Sequence, residues 1–242
     1  MELQDIKCPE CFRYDRCLRH FKETKKKTLR LCQYAVEEDF YSKIRNCRVL
    51  EVGCGRKDKG ANIKRIVEAN GCKWTGIDIK RTDLTTHVCC VTKMPFDDDT
   101  FDWAVGGQTL EHWSNPKKGL KELARVLKPK AKLSLTAPIH LHGEKIFVRG
   151  DFEKIEKLIN DSPFELELAQ KWRTQTAKLP RYTTQYQERH LKKAGIKNPR
   201  QVYGYMTHFL LVNKKQNMHE KKTGLSARRV LSLFKAVFNY FG

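Results

Sequence analysis

A doubly wound α/β sheet of seven strands, mostly parallel with an antiparallel last hairpin strand, is the fold that this sequence predicts. Three observations predict it. From Arg48 onward, short apolar runs alternate with amphipathic segments of helical period, the pattern of strands joined by crossover helices. The first apolar run feeds a glycine-bearing turn, Gly53-Cys54-Gly55, which opens into a helix. The last apolar runs lie too close together for a helical crossover and must turn back on each other.

The elements follow in order. "RVLEV", ending at Val52, is a short buried strand, and "NIKRIVEAN" is a helix closed by Gly71. "KWTGIDI" is the second strand, with "HVCCV" and "FDWAVGG" as third and fourth. "NPKKGLKELARVLK" puts Leu120, Leu123, Ala124 and Leu127 on one face of a helix that Pro129 stops. "AKLSLTAP" is the fifth strand. Residues 139–190 are less regular and read as an insertion after it, containing "FEKIEKLINDSPF". "YQERHLKKAG" reads as a helix closed by Gly195, and "RQVYGYM" and "THFLLVNKK" as the two last strands. The expected organisation is a cysteine-rich basic leader over 1–45, a sheet domain over 46–215 that includes the 139–190 insertion, and a basic amphipathic tail over 216–242. Within the leader, "LCQYAVEEDFYSKI" has helical spacing and is expected to pack against the sheet domain.

Lys and Arg number 48 against 28 acidic residues, a net charge of +20 that attracts anions without choosing among nucleic acid, anionic lipid and acidic substrates. No apolar run is long enough to span a bilayer and the N-terminus does not read as a secretory signal. Nine cysteines, an odd number, include the scattered Cys47, Cys54, Cys72, Cys89 and Cys90, which suit reduced thiols and a cytoplasmic setting.

At the glycine turn, Gly53 and Gly55 remove side chains where the backbone bends and a ligand can approach, and the next helix offers its first N–H groups. Asp78, ending the second strand, is placed to accept both hydroxyls of a ribose. Glu51 stands directly before the turn, where a carboxylate can face a ligand amine. Arg56, Lys57 and Asp58 follow Gly55, so the turn is not G-x-G-x-x-G, and no Walker lysine pattern occurs.

Together with "MPFDDDTFDWAVGGQTLEHWSNPKKGLKELARVLKPKAKLSLTAP", Met94 to Pro138, these residues resemble the class I S-adenosylmethionine (SAM)-dependent methyltransferases, specifically the type 11-like subfamily. Its P-F-x-x-x-x-F-D, L-E-H and L-x-E-x-x-R-V-L-K-P signatures stand in order. The resemblance covers about residues 48–137 and, more loosely, 188–213. It implies a Rossmann-like fold and an enzyme that uses SAM as methyl donor. It also implies roles: Glu51, Gly53, Cys54 and Gly55 at the methionine end, Asp78 on the ribose, Ile79 beside the adenine, and Gln108 and Thr109 near the sulfonium. Two departures stand out. Cys90 occupies the place of an Asp that accepts from the adenine amine, so adenine recognition should rely on backbone near Val91. "PKAK" replaces the usual P-G-G.

Methyl transfer needs an aligned nucleophile and, for a hydroxyl, a proton acceptor. No N-P-P-Y or D-P-P-Y follows the fourth strand, which argues against adenine amino methylation. Two histidine-bearing stretches end the fourth and fifth strands: "LEHW", with Glu111 and His112, and "APIHLHGE", with His140, His142 and Glu144. His112, His140 and His142 are the candidate catalytic groups. If extended, His140 and His142 point to the same side and could form a metal pair, with His112 or Glu144 as a third ligand. Each of these residues also has a purely structural reading.

"CPECFRYDRCLRH" sets Cys8 and Cys11 at knuckle spacing, with Cys17 following and His20 or Cys32 as fourth ligand. Zinc is the expected ion, a four-cysteine iron–sulfur site the alternative, and free thiols the plain reading. The tail "LSARRVLSLFKAVFNYFG" carries Val230, Phe234, Val237 and Phe241 at helical spacing beside Arg228, Arg229 and Lys235. It reads either as a helix lying on an anionic membrane surface, which would make the protein peripheral to the inner face of the membrane, or as a helix docked on its own domain or a second subunit. The expected function is O-methylation of a small-molecule or cell-envelope glycan acceptor. The alternatives are an RNA methyltransferase with an N-terminal zinc module, its basic and aromatic segment "KWRTQTAKLPRYTTQY" stacking on bases, and a SAM-binding, non-catalytic interaction protein.

Overall fold

The computed structural model describes residues 4–5, 40–55, 62–173, 182–198, 202 and 204–216. Cys8, Cys11, Cys17, His20 and Cys32, the loop 56–61 and the tail beyond 216 lie outside the described residues, and with them the leader's metal site and the amphipathic tail.

Eight strands form one sheet: β1 (Gln4–Asp5), β2 (Arg48–Val52), β3 (Lys73–Asp78), β4 (His87–Val88), β5 (Phe101–Gly107), β6 (Leu127–Ile139), β7 (Phe164–Arg173) and β8 (Tyr205–Asn213). Their order is β1-β7-β8-β6-β5-β2-β3-β4. All neighbours run parallel except β8, which is antiparallel to both β6 and β7. The seven-stranded sheet read from the sequence is therefore present, with the two-residue β1 added at one edge. The helices are α1 (Asn62–Ala69), α2 (Pro116–Val126), α3 (Lys145–Arg149), α4 (Phe152–Asn160) and α5 (Tyr182–Lys193), with a 3-10 turn at Leu110–His112.

Both faces of the sheet are covered, and strand alternation decides which side chain goes where. Val49 and Val105 enter the cluster with Ile63 and Val67 of α1, whereas Leu50 and Ala104 enter the opposite cluster with Leu120 and Leu123 of α2. Phe40 docks on the first of these faces, its ring edge-on to Trp103 at 6.0 Å and to His208 at 4.5 Å. The E-x-x-R pair of α2 holds the preceding loop. Glu122 accepts from the Met94 N–H at 2.8 Å, while Arg125 donates to the Phe96 carbonyl and to Asp98, each at 2.8 Å. Asn213 at the end of β8 is buried and donates to the carbonyls of Ala124, Leu127 and Lys128 at 3.0–3.1 Å, satisfying the point where α2 becomes β6.

Three element assignments change. The antiparallel partner of the last strand is β7, inside the stretch read as an insertion, and "RQVYGYM" gives only Tyr205 and Met206 to β8. A bulge between Leu166 and Leu168 hides this strand, because the buried positions switch from Phe164 to Ala169, of opposite parity. Pro129 does not stop α2, which ends at Val126; β6 runs through it, at a bulge against β5 where no ladder donor is needed. "HVCCV" pairs with β3 only through His87 and Val88, a ladder that ends with the Cys89 N–H donating to the Asp78 carbonyl, and Cys90 bridges to Lys93 instead.

Candidate active site

The carboxyl ends of β2, β3, β5 and β6 meet where open α/β sheets bind ligands. At β2, Gly53 (φ +70°) and Gly55 (φ +63°) both occupy left-handed backbone. The N–H groups of Gly53 and Cys54 donate to the Ile77 carbonyl at 2.8 and 3.1 Å, which pins the turn to the tip of β3. The Gly55 N–H donates to Asp78 Oδ2 at 3.1 Å, and the Lys80 N–H to Oδ1 at 3.1 Å. An ionised carboxylate has about four acceptor sites, so both oxygens keep capacity for ribose hydroxyls. Thr82 donates to the Gly55 carbonyl and pairs with Thr85, closing the loop beneath the turn. A Cβ on Gly53 would stand 2.6 Å from Thr109 Oγ1, so the turn and the end of β5 approach as closely as glycine permits.

The other expected donor-side residues divide by burial. Ile79 is 69% exposed, directly after Asp78, and forms a bare apolar shelf beside that carboxylate. Val91 packs in the core, leaving only its backbone to serve a ligand. The Cys54 side chain is likewise buried, its thiol pushed up to about 12 by burial and by the neighbouring Glu51 charge. Glu51 itself is buried and accepts from Trp74 Nε1 at 2.8 Å, so part of the carboxylate is committed to the sheet. Gln108 has φ +51° and donates its N–H to the Thr136 carbonyl at 2.9 Å, turning the chain out of β5. Thr109 Oγ1 then accepts from Trp113 Nε1 at 3.1 Å. The glycine turn is thus joined to Asp78 through the Gly55 N–H and to the end of β5 through Thr109.

The histidines do not behave as a pair. His140 has φ +60°, so the chain bends instead of extending, and the two rings part. Nδ1 of His140 lies 3.1 Å from the Val148 carbonyl, and its ring fills the space a Gly150 side chain would need. Burial holds its pKa below the usual histidine range, against the raising effect of that carbonyl. His142 instead stacks on His112, with ring centroids 5.4 Å apart and planes at 29°. His190 of α5 approaches His142 edge-on at 6.5 Å, its pKa lowered first by burial and then by His142.

Between His112 and His142 stands Glu111, fully buried, its Oε1 3.7 Å from His112 Nε2 and 3.4 Å from His142 Nε2. Among the described residues, neither carboxylate oxygen of Glu111 receives a hydrogen bond. The 3-10 turn Leu110–His112 aims it inward, and Gly143 (φ +102°) lets the following loop lie against it, since a Cβ there would come 2.5 Å from Glu111 Cβ. The sequence had singled out His112 and His142 but not Glu111 as a site residue. The only signal for it was its place in L-E-H, which does not say which way a turn residue faces.

A family model described as a methyltransferase domain matches residues 50–135. A demethylmenaquinone methyltransferase of Clavibacter sepedonicus is 35% identical over 91 residues, 34% of this chain and 37% of that protein. A 2-methyl-6-phytyl-1,4-hydroquinone methyltransferase of rice, Oryza sativa subsp. japonica, is 38% identical over 47 residues, 19% of this chain and 14% of that one. The matched stretch spans little more than a third of the first relative's length and less of the second's. Among solved structures, the cyclase SpnF superposes with a TM-score of 0.52 at 19% identity, covering 75% of this chain and 82% of its own. The phosphoethanolamine N-methyltransferase 2 of Haemonchus contortus, bound to S-adenosylhomocysteine, gives 0.53 at 14% identity, covering 76% and 52%. These likenesses establish the shared fold.

Proposed function

We propose that this chain, which carries a class I SAM-dependent methyltransferase domain over residues 50–135, transfers a methyl group to a hydroxyl of a small-molecule acceptor. The observation that carries the reading is that the Gly53–Asp78 turn abuts the end of β5, two residues before the Glu111, His112 and His142 cluster begins. Thr109, against Gly53, joins them.

SAM, when bound, supplies an electrophilic methyl on a sulfonium. The chain does the rest by position. Gly53 and Gly55 let backbone approach the methionine portion, Asp78 accepts from the ribose hydroxyls, and Ile79 covers a face of the adenine. Gln108 and Thr109 border the reacting end. Glu111, His112 and His142 border the acceptor hydroxyl, whose proton leaves to solvent, whereas His140, tied to Val148, acts by holding the loop that carries His142. The quinone and hydroquinone substrates named for the relatives favour a small-molecule acceptor with a quinone-type ring. The free thiols of Cys47 and Cys72, with sulfurs 3.7 Å apart, suit a reducing, cytoplasmic setting.

Calorimetry with S-adenosylhomocysteine, followed by transfer of labelled methyl from SAM to hydroquinones, phenols, glycans and RNA, tests this. The expected result is S-adenosylhomocysteine binding and a methyl ether on a small phenolic acceptor. Methylation of carbon would overturn the oxygen assignment, and label in RNA or glycan the acceptor class. Binding without transfer would favour a non-catalytic role, and no binding would overturn the reading as a whole.

A further inference from the structure

We propose that Glu111, His112 and His142 form a binding site for a divalent first-row transition cation, of which zinc is the natural probe. The first argument is the state of Glu111. Its carboxylate is completely buried, neither oxygen receives a hydrogen bond, and among the described residues its only cationic neighbours within 4.0 Å are the two imidazoles. A buried carboxylate left in that condition carries a large desolvation penalty, which a cation removes.

The second argument is convergence. Both imidazoles present Nε2 to the same oxygen, Oε1, and the three candidate ligand atoms all lie within 4.8 Å of one another. Three ligand atoms held about 2.1 Å from one ion stand about 3.4 Å apart in tetrahedral geometry; the carboxylate–imidazole separations of 3.4 and 3.7 Å are already near that, and the closure needed lies between the two imidazoles, whose ligand atoms are within 4.8 Å. With the two rings stacked at 5.4 Å, one divalent ion between them would satisfy both nitrogens and the carboxylate together.

The third argument concerns donors and access. Two histidines and one carboxylate suit zinc and its neighbours in the first row better than magnesium or calcium, which prefer all-oxygen sites. His112 is 58% exposed at its side chain, so the site opens to solvent and leaves coordination positions for a ligand oxygen. The ligands come from two segments, the 3-10 turn after β5 and the loop after β6. Gly143 (φ +102°), next to His142, is what allows the second to close on the first. None of this needs methyl transfer. Resting on the reading of the previous section, the ion would also hold the acceptor's hydroxyl and lower its pKa, so that the O–H bond breaks with the electron pair left on oxygen and the proton passing to solvent.

The test is cobalt and zinc titration of the full, metal-stripped chain without SAM. The leader's cysteines are a second candidate ligand set, and the cobalt spectrum separates the two: nitrogen and oxygen ligation gives visible d–d bands alone, thiolate ligation adds an intense near-ultraviolet charge-transfer band. The expected result is one cobalt equivalent without thiolate character, displaced by zinc and lost in His142→Gln and His112→Gln. Each loss should exceed the roughly 10–100-fold that removing a supporting outer partner costs. His112 is exposed, so its variant should still fold, and retained S-adenosylhomocysteine binding verifies this. Cobalt bound only with thiolate character, or nitrogen–oxygen binding unchanged in both variants, overturns the site. Because S-adenosylhomocysteine binding is read without metal, failure here is distinguishable from failure of the methyltransferase reading.

Discussion

At the proposed donor end, between the tips of β2 and β3, main chain does most of the holding: the Gly53 and Cys54 N–H groups on the Ile77 carbonyl, the Gly55 N–H on Asp78, Thr82 on the Gly55 carbonyl. At the proposed acceptor end, beyond β5 and β6, side chains converge and stop short, with Glu111 beneath two imidazoles and hydrogen-bonded to neither. The first arrangement is complete in the chain alone. The second is built to be completed by something else. A cofactor common to many enzymes can be gripped by backbone geometry, whereas an acceptor is chosen by side chains on loops.

The strongest way to break the donor end is Gly53→Ala. The residue needs φ +70°, and a Cβ would meet Thr109 Oγ1 at 2.6 Å, so about 2–4 kcal/mol of stability should be lost in urea unfolding. S-adenosylhomocysteine binding should vanish with it. Asp78→Ala should leave the fold standing and weaken S-adenosylhomocysteine about 10- to 100-fold by calorimetry, the worth of hydrogen bonds to a charged acceptor. Affinity unchanged in that variant would move the ribose elsewhere.

Acid should act on the sheet through His208. His208 on β8 is buried, with Nε2 2.8 Å from Ser134 Oγ on β6, and burial lowers its pKa from 6.5 to about 4. The folded state keeps it neutral while the unfolded chain takes up a proton first. Its contribution is therefore intact above pH 6.5, falls as pH drops below that value, and is fully lost near pH 4. Between pH 7.5 and 5 this amounts to about 2 kcal/mol. Denaturant midpoints across that range should show it, and His208→Asn should flatten the slope. The smallest effect is expected of Ile79→Ser, which should cost S-adenosylhomocysteine about 1–2 kcal/mol while leaving cobalt binding at Glu111 untouched.

The same division governed what the sequence could reveal. The glycine turn, Asp78 and the alternation of β2, β3 and β5 were legible because period and turn chemistry are local. β7 is hidden from periodicity because a bulge reverses which parity is buried, and Pro129 mimics a helix stop although it lies in a strand bulge beyond the end of α2 at Val126. His140 and His142 were expected to share a face. Left-handed backbone at His140 and the carbonyl of Val148 separate them, and neither is visible in residue spacing. Glu111 was invisible for a similar reason: its importance comes from a chain approaching across the sheet from Gly143.

Ile79, with more than two thirds of its surface in water, has a thermodynamic consequence. Covering a bare aliphatic side chain with an adenine ring removes structured hydration, and the heat capacity of the system should fall on association. Titrations repeated at rising temperature should therefore release progressively more heat per mole of nucleoside bound, with a slope that flattens when Ile79 is replaced by serine.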